Sequence, residues 1–510
     1  MSLENNKRIA KNTLFLYFRM LFTMGVSLYT SRVVLATLGV EDFGIYGVVG
    51  SVVLMFSFLN LSMSGATSRF LTFALGKGDN EELQKIFSAA LTIHFIIALV
   101  ILILAETMGL WFLENKLVIA PERMNAARVV YQLSIISTMI TIIQVPYNAV
   151  IIAHERMKVY AYVEILNTSL KLGVVYLLVI ADWDKLIVYA ALLLIVSICI
   201  ASVYKLYCIK HFEESKYTFI WDKKILYPML SFSGWDLYGN LSTIARTQGV
   251  NMLLNIFFGT VLNAANSIAI QVQSAVGAFA NNIIIAIRPQ IVKSYAANDY
   301  QYTKNIVLNA AKYIYILLLI LSLPLIIEMH FVLNLWLKHV PPYAVSFCRL
   351  TLLFNFFSSM SFIVVSAIHA TGNIKRPSLI NGSLYLAVIP ITYISFKFNG
   401  IPEIPYICNA LFVFLGMLSN VYTLRLYMPV LSIKDFVSNV LIVCFVISLL
   451  SCTISYYVQK NLPESFWRLC IVVVVSTLVT LTMTYAIALD KKTKHYVNNK
   501  INELMGKWKN

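Results

Sequence analysis

The sequence predicts an all-α, polytopic membrane protein with about fourteen transmembrane helices. Three observations predict it. Apolar stretches long enough to cross a bilayer recur from Thr13 to Leu489. A hydrocarbon core about 30 Å thick needs roughly 20 apolar residues, and without water each stretch must satisfy its own backbone as a helix. Of 510 residues, 59% are hydrophobic and 13% charged, whereas soluble chains carry about 25% charged residues. Lys and Arg collect on every second connection, the signature of loops retained on one side of the membrane. The net charge of +16 is dispersed over those short loops. It reads as topology and contact with anionic headgroups, not as nucleic-acid binding.

The spans are expected at 13–38, 43–67, 86–106, 129–152, 161–180, 186–204, 229–258, 261–287, 305–329, 343–368, 378–397, 404–424, 436–458 and 466–489. The basic start (Lys7, Arg8, Lys11) enters the first span with no small-residue cleavage site, so that span reads as a retained helix. Placing the N-terminus inside puts 26 Lys and Arg on inside segments and 8 outside. Both termini are then expected in the cytoplasm, which supports an even helix number. The outside loops are short, and only Glu106, Glu114 and Glu122 offer acids near the longest one. A membrane-embedded glycosyltransferase or polymerase would want more there. The seven cysteines lie in or beside apolar segments without CxxC or Cys/His spacing, so no metal site or disulfide framework is expected.

A repeat shows at a spacing of 220 residues. Leu38-Gly39-Val40 answers Phe258-Gly259-Thr260, and Gly76-Lys77-Gly78-Asp79 answers Ala296-Ala297-Asn298-Asp299. Ala153 to Lys158 answers Ala370 to Lys375 at a similar offset. Six helices separate each pair, which makes the repeat parallel, with its axis along the membrane normal. The expected organisation is an N-lobe at 1–207, an inner-face amphipathic linker at 208–228, a C-lobe at 229–427, an appended helix pair at 428–489 and a basic tail at 490–510. Linker and tail both fit helices lying on the inner leaflet. In the tail, Val497, Ile501, Leu504, Met505 and Trp508 share a face.

Charges inside the spans cost at least about 2.5–3.5 kcal/mol each and therefore point to function. Span 1 carries Arg19 and Arg32, each near enough to an end to snorkel. Span 3 carries His94, expected to be a hydrogen-bonded core residue. Span 5 carries Glu164 and Lys171, in a stripe with Asn167 and Thr168 at i, i+3, i+4 and i+7. Span 7 carries Asp236 and Arg246, with Asn240, Thr243, Thr247 and Asn251. Span 8 adds Asn263, Asn266, Gln271, Gln273, Asn281 and Asn282, and spans 9 and 10 carry Lys312 and Arg349. Pro146, Pro324 and Pro390 sit within spans and are expected to kink them.

The polar faces of spans 5, 7 and 8 suggest a hydrated cavity. The bland alternative is interhelical glue, worth about 0.6–2 kcal/mol per contact, and for any single Asn it is the better reading. Lys171 and Arg246 lie too deep to snorkel, which favours the cavity. Buried cations with few balancing acids suit an anionic group such as a phosphate, because guanidinium binds its oxygens in pairs. Asn240, Asn251 and Gln271 suit a ligand rich in hydroxyls. A cation antiporter would need more deep carboxylates than Glu164 and Asp236.

The chain resembles the multidrug/oligosaccharidyl-lipid/polysaccharide exporter superfamily, and within it the Wzx-type oligosaccharide-lipid flippases. Lys11-Asn12-Thr13, Ser31-Arg32, the run Leu38-Gly39-Val40-Glu41-Asp42-Phe43-Gly44-Ile45-Tyr46, Gly78-Asp79 and Ala153 to Lys158 carry the resemblance. It implies a MATE-like fold of two six-helix lobes. It also implies translocation of an undecaprenyl-diphosphate-linked oligosaccharide by alternating access, for O-antigen, capsule or a related glycan. No covalent chemistry and no cofactor is implied. Arg19 and Arg32 are the cations the family places on helix 1. Glu164 or Asp236 is the candidate for coupling to H+ or Na+. Membrane lipids, a polymerase and glycosyltransferases are the expected partners, and nucleic acid is not. The alternatives that stay open are a cation-coupled multidrug antiporter and a membrane-embedded glycosyltransferase or polymerase.

Overall fold

The computed structural model describes residues 3–489 apart from 56–57, 116–118, 181, 259 and 338–339, together with 494, 495 and 498. Among the described residues the chain is helical, with no strand. In order run α1 (Leu3–Met55), α2 (Phe58–Lys77), α3 (Asn80–Leu104), α4 (Leu110–Asn115), α5 (Met124–Ala153), α6 (Met157–Val179) and α7 (Lys185–His211). Then come α8 (Lys223–Phe258), α9 (Thr260–Ala296), α10 (Tyr300–Ile327), α11 (Met329–Leu337), α12 (Ala344–Thr371), α13 (Lys375–Lys397) and α14 (Ile404–Tyr427). Last are α15 (Ile433–Phe436), α16 (Val443–Lys460) and α17 (Phe466–Met483). Among the described residues, eleven helical segments are long and apolar enough to cross a membrane. The other three expected spans fall on α1, α2 and α8. In α1 the helix breaks at Gly39 (φ 79°, ψ 171°), a conformation only glycine takes without strain. The break separates the first expected span from the start of the second.

The repeat is visible in the backbone. Gly78 (φ 76°) and Asn298 (φ 58°), 220 residues apart, are both left-handed. So are Glu155 (φ 58°) and Gly372 (φ 84°), which close the turns after α5 and α12. Gly259, the counterpart of Gly39, lies outside the described residues.

The chain divides into two compact units. The first holds residues 1–241, 285–299 and 369–379. Its core packs Phe87, Tyr147, Val150 and Tyr204, with the Phe87 and Tyr147 rings edge to face at 5.3 Å. A second cluster around Tyr131, Ala127 and Ile45 ends at a clamp. There Arg123 reaches Asp42 at 2.6 Å and Asp184 at 2.7 Å. Asp184 also caps α7 by accepting from the Leu186 N–H. His94 is fully buried and its Nδ1 meets the Ala90 carbonyl at 2.8 Å, a core histidine as expected.

The linker corrects the expected amphipathic helix. After α7 it forms one 3-10 turn, Glu213–Ser215, and then runs non-helical to Asp222. The reason is local pairing with α3. Gln84 donates to the Lys216 carbonyl, Ser88 accepts from the Thr218 N–H, and Thr92 meets the Tyr217 hydroxyl. Side chains of α3 thus take backbone groups that a helix would have used itself. The apolar face expected in the tail lies outside the described residues.

The second unit holds 242–284, 300–368 and 380–510. Its internal charges are mostly satisfied. Lys312 donates to the Ala488 carbonyl at 2.9 Å, Arg349 to the Ile326 carbonyl at 2.9 Å, and buried Glu328 pairs with Arg468 at 2.7 Å. Ala488 ends a π-helical turn, Thr484–Ala488, whose last carbonyls have no helical partner. Lys312 supplies one.

Candidate functional site

Of the sequence candidates in the second unit, Arg246 lines a cavity. It lies on α8 and is 8% exposed. Its guanidinium sits 4.5 Å from the Tyr385 ring centroid and 5.1 Å from that of Phe354. Nη1 donates to Asn409 Oδ1 at 3.2 Å. Nε is buried with no hydrogen-bond partner. The two rings hold the cation by their π-faces, worth about 2 kcal/mol when desolvated, without neutralising it.

Arg246 lines a cavity of about 60 Å³, the space of about two waters. Its polar wall is Asn266, Gln273, Thr351, Tyr406 and Asn409, and among the described residues no carboxylate lines it. The wall is ordered by its own bonds. The Tyr406 hydroxyl donates to Asn266 Oδ1 at 2.6 Å, Asn266 donates to Asn251 Oδ1 at 3.0 Å, and Asn355 donates to the Gln273 carbonyl at 2.9 Å. Neutral donors and acceptors around one unneutralised guanidinium can hold an anion and reject a cation. Asn251 supports this wall, and Gln271 is exposed.

The first unit holds two further polar groups. On α1 and α6, Arg19 lies 4.9 Å over the Tyr160 ring, and Glu164 accepts from the buried Tyr204 hydroxyl at 3.1 Å. Thr168 meets Thr23 at 3.4 Å. Lys171 is exposed and makes no hydrogen bond or ion pair among the described residues. The side chain of Arg32 lies outside the described residues.

The second group joins Asp236 and Asn240, which the sequence singles out, with two arginines that it does not. Arg69 on α2 is 7% exposed. It lies 4.4 Å from the Phe70 centroid, 4.8 Å from Phe73 and 5.9 Å from Phe232. It donates to the carbonyls of His369 and Ala370 at 3.0 and 3.2 Å. Arg288 on α9 donates to His369 Nδ1 at 3.3 Å. Nearby Asn240 bridges Asp236 Oδ2 (3.3 Å) and Ser62 (3.2 Å). Buried Glu155 accepts from Gln290 and from Lys293, the latter at 2.8 Å, while its own carbonyl accepts from Asn12. Arg69 and Arg288 fall between the expected spans, whereas α2 runs on to Lys77 and α9 to Ala296. Apolar Phe70, Leu71, Phe73 and Leu75 were the available signal for the longer α2.

A family model described as "polysaccharide biosynthesis protein" matches residues 9–295. The chain belongs to that family. Its fold is that of the MATE transporters of the MOP superfamily. One MATE crystal structure in a bent conformation matches with a TM-score of 0.73 at 14% identity, over 84% of this chain and 99% of that one. An outward-facing multidrug resistance MATE transporter gives 0.71 at 14% identity, over 83% and 97%. A MOP superfamily transporter from Pyrococcus furiosus, described by a binding pocket of reversed polarity, gives 0.68 at 13% identity, over 83% and 96%. Among curated proteins none matches the sequence. At such identities the likeness to solved structures is one of fold.

Proposed function

We propose that this member of the polysaccharide biosynthesis family is a flippase and not an enzyme. It moves an undecaprenyl-diphosphate-linked oligosaccharide from the inner to the outer leaflet of the bacterial cytoplasmic membrane. The route is alternating access, with both termini cytoplasmic, and the product supplies O-antigen, capsule or a related polysaccharide. One observation carries the reading. Arg246 is buried and lines a cavity walled by amides and hydroxyls, with no carboxylate among the described residues. A diphosphate takes charge-assisted bonds from such a guanidinium, and the amides suit sugar hydroxyls. The same wall argues against the drug-cation alternative, since a bound cation would face an unneutralised arginine.

Coupling to H+ or Na+ falls to Asp236 or Glu164, the two carboxylates on the candidate helices. Arg19 and Arg32 would meet the substrate headgroup from helix 1, with Lys171 as a further cation.

The test is complementation of a flippase-deficient strain, with lipid-linked oligosaccharide retained on the inner leaflet as the readout. Arg246→Ala at wild-type expression should abolish complementation and leave the lipid-linked intermediate inside. Full activity of that variant would remove Arg246 from the site and, with it, the support for this reading.

A further inference from the structure

A second concavity lies in the first unit, between α5 and α7. It has a volume of about 220 Å³, the space of roughly seven waters. Ile140, Ile143 and Ile198 make its apolar wall, and Gln144, Ser202 and Lys205 also line it, mostly through their carbon atoms. None of these three polar side chains has a hydrogen bond or ion pair among the described residues. At this position that is costly. In hydrocarbon an unsatisfied amide costs several kcal/mol, and a lone ammonium costs more.

The level of each group can be read from the packing. Ser137 meets Ser197 at 2.7 Å, and the Cys208 thiol donates to the Tyr147 carbonyl at 3.3 Å. The two helices therefore run parallel with a constant offset of about 60 residues. That register sets Gln144 level with Lys205, about 9 Å inside the end of α7 at His211. A lysine at that depth carries its ammonium toward the headgroups on a four-carbon stem. The shorter Gln144 amide stays below it, and Ser202 lies nearly one turn deeper. Ile140 and Ile198 lie deeper still. From the membrane surface inward the groove thus offers a cation, then neutral donors, then an apolar wall.

We propose that this groove binds one anionic phospholipid of the bilayer. The phosphate sits on Lys205, the glycerol ester carbonyls accept from Gln144 and Ser202, and an acyl chain fills the apolar end. A prenyl phosphate also matches the cation and the apolar wall. It has only hydrocarbon beneath its phosphate and would leave the Gln144 amide unpaired. The ester level decides for a glycerolipid. The site is separate from the Arg246 cavity and does not depend on the flippase reading.

The test is native mass spectrometry of the full-length protein in detergent, titrated with phosphatidylglycerol, phosphatidylcholine or undecaprenyl phosphate. One phosphatidylglycerol should be retained in preference to phosphatidylcholine by about fivefold, the worth of one lysine near a charged surface. Lys205→Gln should abolish that preference, and Gln144→Leu should weaken both glycerolipids while leaving their ratio unchanged. Lys205 is exposed, so its variant should melt at the wild-type temperature without lipid. Equal retention of the two glycerolipids by the wild type would overturn the proposal. So would undecaprenyl phosphate displacing phosphatidylglycerol with an affinity that Gln144→Leu does not change.

Discussion

Arg69 and Arg246 are both buried arginines set among aromatic rings, yet their surroundings differ in one decisive way. Arg69 places donors on two backbone carbonyls at the end of α12 and is packed by three phenylalanines. Arg246 gives Nη1 to Asn409 and borders open space. Burial of a cation alone therefore says little about function. What distinguishes a candidate site is a cation with open space beside it. Arg69 works as a structural staple, and Arg246 has capacity left for a ligand.

That contrast can be broken by mutation, beginning with the largest effect. Arg246→Ala should lower transport per folded molecule by more than 100-fold, well beyond what the loss of two π-contacts and the Asn409 bond takes from stability. Arg246→Lys should not restore it, because a point charge lacks the planar fork. If lysine rescues fully, paired phosphate recognition is wrong. Arg69→Gln should do the reverse. It removes charged bonds to two carbonyls and three π-contacts, so about 2–3 kcal/mol of stability should be lost, seen as a lower melting temperature. Transport per folded molecule should stay near wild type. A severe transport defect at normal stability would move Arg69 into the site.

Gly372→Ala probes the same staple from the other side. Gly372 is left-handed, and a Cβ there would lie 2.8 Å from Arg69 Nη2. Strain plus contact should cost about 1–2 kcal/mol, and pairing it with Arg69→Gln should recover part of that in a double-mutant cycle. The smallest effect belongs to the clamp at Arg123. The guanidinium beside Asp184 holds its carboxyl below the usual carboxylate range. The stability this contributes is present above the unfolded value near 3.9 and is lost as pH falls through the lower folded value. Asp184→Asn should cost about 1 kcal/mol at neutral pH. It should also flatten the acid limb of a melting-temperature profile below pH 4.

The helical membrane fold was legible because its cause is local. Each span is a run of apolar residues that must close its own hydrogen bonds. Arg246 was legible for a related reason, since depth within α8 follows from position along the sequence. Its partners were not. Phe354, Tyr385 and Asn409 lie over 100 residues away and are brought in by packing alone. Lys312 and Arg349 also lie within expected spans, yet each ends on a backbone carbonyl. The linker was misjudged because alternating Phe, Trp and Lys gives an amphipathic pattern whether or not the backbone coils. Only the α3 side chains beside it decide.

The paired left-handed turns show that one bend can be made in two ways. Where one copy of the repeat has Gly78 or Gly372, the other has Asn298 or Glu155 in the same unusual dihedral region. At Glu155, where no glycine eases the bend, the side chain is fastened to Gln290 and Lys293. Glycine there would relax the peptide and release the fastening together. A left-handed bend can thus be held by side-chain attachment as well as by the freedom of glycine.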